Sequence, residues 1–159
     1  MKFIDDNVYR TLIALFVACS ICSTASAAQG VIVKNAWVRA TAPGQNTAGV
    51  YLDIASNADA ALVGAVSPVA NSAEMHAMRM EGGVMKMRAL QRIELPAQKT
   101  VKLAPGGLHI MLVGIKQPLG EKQRIPLELT IEGAGRVKSN VKVEAEVRSL
   151  TATGEPHAH

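Results

Sequence analysis

The sequence predicts an all-β fold, a sandwich or barrel of short strands. Three observations carry this prediction. Beyond residue 28 the chain alternates short apolar runs with turn-forming clusters at regular spacing. No long segment carries a clear helical period. The run Val137-Lys138-Ser139-Asn140-Val141-Lys142-Val143-Glu144 alternates in the manner of a half-exposed strand.

The elements follow in order. Candidate strands are Val31–Ala40, Ala48–Ala55, Ala61–Val66, Ala73–Met80, Val84–Leu90, Thr100–Leu103, Leu108–Val113, Ile125–Glu132 and Val137–Val147. Turn signals between them include Ala42-Pro43-Gly44, Ser56-Asn57-Ala58-Asp59, Glu81-Gly82-Gly83, Pro105-Gly106-Gly107 and Gly133-Ala134-Gly135. There is no internal repeat and no low-complexity stretch.

The 159 residues suit one domain once a targeting segment is set aside. Hydrophobic residues make up 48% of the chain and aromatics only 3%, so Val, Leu, Ile, Ala and Met must build the core. Residues 1–27 read as a signal peptide. Lys2 and Arg10 are basic, Leu12–Cys22 is apolar, and Ala25-Ser26-Ala27 is a good cleavage site. The apolar run is shorter than the roughly 20 residues a membrane span needs. Residues 28–150 are expected to form the folded domain, and 151–159 a flexible histidine-bearing tail.

Both cysteines, Cys19 and Cys22, fall in the leader. Neither follows the Leu and two small residues that usually precede a lipid-acceptor cysteine, so a freely soluble periplasmic product is expected. It would have no disulfide and no thiolate ligand, and any soft metal must then use methionine. The net charge of +4 is spread along the chain, without a basic run or an aromatic platform. That excludes a nucleic-acid-binding reading; the mild basicity favours an acidic partner surface.

Histidine and methionine are concentrated. Met75, His76, Met78, Met80, Met85 and Met87 lie within thirteen residues, and His109 and Met111 follow. His109 and Met111 are two apart in a strand, so they share one face while Ile110 and Leu112 turn to the core. Both are expected to face outward, with little core packing of their own. If Gly82-Gly83 form a hairpin turn, Met80 opposes Met85, Met78 opposes Met87, and His76 lies diagonal to Met87. One face would then carry His76, Met78, Met80, Met85 and Met87; a one-residue change in the loop would alter this register.

Thioether sulfur is neutral and soft. It suits Cu(I) and binds hard or borderline cations poorly, while imidazole suits copper in either oxidation state. Zinc sites normally include Cys, several His or a carboxylate, and only Glu74 and Glu81 are near in sequence. A single methionine in a strand is more often core filler. The gathering of both internal histidines with most of the methionines is what points to a metal.

The spacing resembles the motif of the periplasmic copper chaperones called PCu(A)C: His, ten residues, Met, twenty-one residues, His, one residue, Met. His76, Met87, His109 and Met111 match it. So do the flanks Glu74-Met75-His76, Leu95-Pro96, Leu103-Ala104-Pro105-Gly106-Gly107-Leu108-His109-Ile110-Met111-Leu112 and Gln117-Pro118-Leu119. The resemblance covers roughly residues 31–146. It implies a cupredoxin-like (immunoglobulin-like Greek-key) β-sandwich and a mononuclear Cu(I) site. It also implies copper delivery toward the CuA centre of cytochrome c oxidase, with subunit II as the accepting partner.

The resemblance makes His76, Met87, His109 and Met111 the ligands. Met75 is that motif's optional methionine and, with Met78, a possible accessory to the site, although strand parity turns it away from His76. Met78, Met80 and Met85 have no place in the motif; they shield the copper, widen the site, face a partner or simply pack. His157 and His159 are accessory candidates for Cu(II), which accepts N and O ligands. Nothing resembles a catalytic triad, a phosphate loop or a paired-carboxylate cleft, so a monomeric metal carrier is expected rather than an enzyme. The rival readings are copper buffering or resistance without a dedicated recipient, and a β-sandwich interaction module with a Met-rich patch.

Overall fold

The computed structural model describes residues 30–153. The expected signal peptide and the tail residues His157 and His159 lie outside the described residues. Ten strands account for most of the described residues: β1 (Val31–Arg39), β2 (Thr47–Ser56), β3 (Ala60–Val66), β4 (Ser72–Glu81), β5 (Val84–Leu90), β6 (Ile93–Leu95), β7 (Thr100–Leu103), β8 (Leu108–Val113), β9 (Arg124–Glu132) and β10 (Lys138–Arg148). A single 3-10 turn, Ala134–Arg136, joins β9 to β10. No helix among the described residues is long and apolar enough to cross a membrane. The all-β sandwich expectation holds.

Hydrogen bonding runs as one ladder in the order β5-β4-β8-β2-β1-β10-β9-β3-β6, with β7 pairing β2 alongside β8. Pairing between strands is antiparallel except where β1 meets β10, Trp37–Arg39 against Glu146–Arg148, and an isolated parallel bridge joins Ser56 to Ala97. The ladder folds over on itself, because β3 and β4 lie far apart in the ladder yet pack together. One core fills the space between, with Val50, Leu52 and Ile54 of β2 and Ile110 and Leu112 of β8 meeting Leu127, Leu129 and Ile131 of β9. Burial of these branched side chains, at roughly 25 cal/mol per Å² of apolar surface, is the main force holding the layers.

Two sequence signals missed or reshaped an element. β6 is only three residues long, and Arg92 and Pro96 bracket it too tightly for a period to show. The Gly133-Ala134-Gly135 turn became a 3-10 turn, with Gly135 at φ 66.

β1 carries a bulge. Lys34 pairs with Asp53 and Trp37 with Tyr51, so Asn35 and Ala36 together oppose Leu52 alone. Asn35 takes φ 52, a conformation asparagine tolerates, and its side-chain amide donates to Asp53 at 2.8 Å. The extra residue brings Trp37 onto the same face as Tyr51, away from the main core.

Candidate functional site

The site begins with two turns. In the β4–β5 hairpin, Glu81 pairs with Val84, leaving a two-residue loop of Gly82 and Gly83 at φ 60 and 77. Positive φ at both positions is the type I′ requirement, which glycine meets without strain. The register follows: Met80 opposite Met85, Met78 opposite Met87, His76 opposite Ala89. These are the expected pairs. Before β8, Gly107 N–H donates to Ala104 O at 3.0 Å across Pro105 and Gly106, whose φ of 80 fits a type II turn.

β4 also pairs with β8, placing His76 directly opposite His109 and Glu74 opposite Met111. On the far side of β8, Gly49 of β2 stands opposite Met111. One outward face therefore carries Met87 of β5, Glu74, His76 and Met78 of β4, His109 and Met111 of β8, and Gly49 and Tyr51 of β2. Three consecutive strands bring the four motif residues together.

The side chains converge. His76 Nδ1 lies 2.9 Å from Met87 Sδ, and His76 Nε2 lies 3.1 Å from Glu74 Oε2. A carboxylate oxygen only accepts, so Nε2–H donates to it and Nδ1 turns its lone pair toward the sulfur. An imidazole nitrogen and a thioether sulfur this close can bind one soft cation together. The rings of His76 and His109 meet edge to face, centroids 5.7 Å apart at 86°. His109 Nδ1–H donates to Gly107 O at 3.1 Å, which leaves Nε2 as the free donor. Gly107 O also accepts Met78 N–H at 3.1 Å, so one carbonyl sets both the ring and the neighbouring strand. Metal-binding histidines are typically oriented in this way by a carboxylate or carbonyl on the other nitrogen.

The expectation that His109 faces outward with little packing needs correction. The residue is on the predicted face but is only 4% exposed. Tyr51, buried on β2, lies 6.4 Å from it between ring centroids, and Trp37 stacks 4.5 Å beyond Tyr51. Arg148 closes the row, its guanidinium 5.2 Å from the Trp37 ring centre. Met111 is half-buried, His76 half-buried and Met87 exposed at 48%. The site thus has a buried floor at His109 and an open wall at Met87.

Met75 is buried in the core, as parity required, and does not reach the site. Met78 is half-buried beside Met87; Met80 and Met85 are exposed toward the hairpin tip. Glu81 is on the opposite face, where it accepts two hydrogen bonds from Arg88 at 3.0 and 2.8 Å. Those bonds, aided by Lys86 and Arg79, hold its carboxyl below the ordinary value of 4.5. Glu81 is thus committed to cations of its own hairpin. Tyr51 and Trp37 were not singled out from sequence, and Glu74 was noted only as a nearby carboxylate. For Glu74 the signal was available, since it lies two residues before His76 on the same strand face.

Among the described residues no three His, Cys, Asp or Glu side chains gather as a cation site. The candidate donors the motif singles out on this face are instead two imidazoles and two thioethers, with the Glu74 carboxylate behind one ring. This chemistry fits a soft monovalent ion better than Zn(II) or a hard cation.

The fold and this face define a β-sandwich of the kind seen in PCuAC domains. The described chain superposes on the copper-bound PCuAC domain from PmoF2 with a TM-score of 0.62 at 25% identity, covering 77% of this chain and 96% of that one. It also superposes on the Cu(I) form of DR1885 from Deinococcus radiodurans, with a TM-score of 0.57 at 28% identity, covering 84% and 87%. Residues 31–143 match the family described as "Putative lipoprotein LpqE-like", and the chain belongs to that LpqE-like family. A relative from Leifsonia xyli subsp. xyli (strain CTCB07), "Putative lipoprotein Lxx21020", is 39% identical over 103 residues, 64% of this chain. The match spans 62% of that relative's length.

Proposed function

We propose that this protein is an extracytoplasmic copper chaperone that carries one Cu(I) on His76, Met87, His109 and Met111. The observation that carries the reading is the approach of His76 Nδ1 and Met87 Sδ to 2.9 Å, with His109 directly opposite His76. A neutral His/Met set stabilises Cu(I) without the thiolates that would make release slow. The open wall at Met87 lets an accepting ligand enter before the last donor leaves, which is what a carrier needs. The superposed PmoF2 domain is copper-bound and the superposed DR1885 is its Cu(I) form, which supports the same assignment.

The recipient in this reading is the CuA centre of cytochrome c oxidase subunit II, reached by a monomeric carrier in the periplasm. The lipoprotein names of the family and of the relative support a place outside the cytoplasm. A lipid anchor, as those names describe for the relatives, is the alternative to the freely soluble product expected from the poor fit around Cys19 and Cys22. The intact mass of the protein from the cell envelope distinguishes a cleaved from an acylated N-terminus. His157 and His159 form, in the same reading, a weaker Cu(II) site.

Anaerobic Cu(I) titration followed by X-ray absorption tests the core assignment. One equivalent bound with two sulfur and two nitrogen neighbours is expected. An all-nitrogen shell, or displacement by excess zinc, overturns it.

A further inference from the structure

The hairpin formed by β4 and β5 extends the Met face beyond the four-donor site. Met78 and Met87 are cross-strand partners, and so are Met80 and Met85, one step nearer the turn. Directly opposed residues stand about 4.5–5.5 Å apart at Cβ, within reach of one ion for side chains as long as methionine. Met80 is 64% exposed and Met85 43% exposed. Half of the exposed large hydrophobic side chains among the described residues sit on this one hairpin: Met80, Val84, Met85 and Met87. Edge strands normally carry charge on exposed positions to discourage association. β5 does so only on the other face, where its Lys86 and Arg88 stand beside Arg79 and Glu81 of β4.

Plain packing does not account for Met80 and Met85, which cover little. Their shared property is an accessible thioether. We infer that Met78, Met80 and Met85 form a thioether-only loading site for a monovalent soft cation, placed next to Met87. The site is neutral and open, so it binds weakly and exchanges fast. The ion then passes by ligand exchange: Met87 sulfur joins before Met80, Met85 and finally Met78 sulfurs leave, with no change of oxidation state. Arg79, Lys86 and Arg88 outnumber Glu81 on the reverse face, and their repulsion of a divalent ion is twice that of a monovalent one. The thioether site stands independently of the four-donor reading; only the hand-over to Met87 rests on it.

Ag(I), a redox-inert soft cation, is the probe. The chain labelled at its methionine methyl groups is titrated while each resonance is followed by NMR. Met80 and Met85 methyl signals are expected to shift in fast exchange, and to do so also in the Met87→Leu/Met111→Leu variant. In Met80→Leu/Met85→Leu, Ag(I) uptake at Met87 is expected to slow several-fold with its final affinity unchanged. Met80 and Met85 signals that stay fixed while Met87 moves overturn the inference, as does an unchanged uptake rate. Movement of Met80 and Met85 with Met87 and Met111 fixed supports the thioether site and overturns the four-donor reading instead.

Discussion

Tyr51 lies across Gly49, two residues back on the same face of β2: an added Cβ on Gly49 would stand 2.5 Å from the Tyr51 hydroxyl oxygen. Gly49 is also the residue opposite Met111. The missing side chain makes room for the ring that covers His109. Gly49→Ala is therefore expected to push Tyr51 off His109, at a cost of about 1–3 kcal/mol for overpacking. Thermal unfolding and Cu(I) competition should both register it. An unchanged Tm and affinity would mean that Tyr51 is not held by Gly49.

Trp37 is the single tryptophan and connects to the site through Tyr51. Its emission is expected to change during Cu(I) titration and to level off at one equivalent. Tyr51→Phe should keep the response, since the ring and not the hydroxyl forms the path. A flat emission trace alongside proven binding at His109 would refute the coupling.

Met87→Leu and Met111→Leu keep shape and remove sulfur. Such near-isosteric exchanges usually cost less than about 1.5 kcal/mol of stability. Cu(I) affinity is expected to fall at least tenfold in each, with far-UV circular dichroism unchanged. His109→Ala is a harsher change, because it also opens a gap under Tyr51, so it should lower Tm as well. Wild-type affinity in both Leu variants would remove methionine from the ligand set.

Glu74 accepts from His76 Nε2–H and so directs Nδ1 toward Met87. Losing such support to a metal-binding histidine typically weakens binding about 10–100-fold. Glu74→Ala is expected to fall in that range, while Glu74→Gln, which can still accept, should recover most of it. Equal loss in both variants would show that carboxylate charge, not ring orientation, is what matters.

Much of this was legible in the residues themselves. Two glycines in an even-length turn set the hairpin register, so the Met pairs and the diagonal from His76 to Met87 followed directly. Parity sorted Met75 into the core and His109 onto the opposite face. What periodicity could not supply was the long-range pairing. The position of Tyr51 depends on β2 meeting β8, and that of Trp37 on the bulge at Asn35 and Ala36. Neither leaves a local trace, so the covering of His109 was missed. β6 was too short to show a pattern, and the parallel meeting of β1 with β10 depends on how the ladder closes.

Met87 sits on β5, the outermost strand of the ladder, whereas His109 and Met111 sit on β8, with β4 between. An ion held by all three acts as a rivet through an outer plank and the frame behind it. Edge strands open most readily, and a ligand stabilises whatever must be closed to bind it. The amides of β5 should therefore exchange with solvent slowly in the loaded protein and quickly in the empty one. The fraying of one strand would then report whether the carrier is holding its cargo.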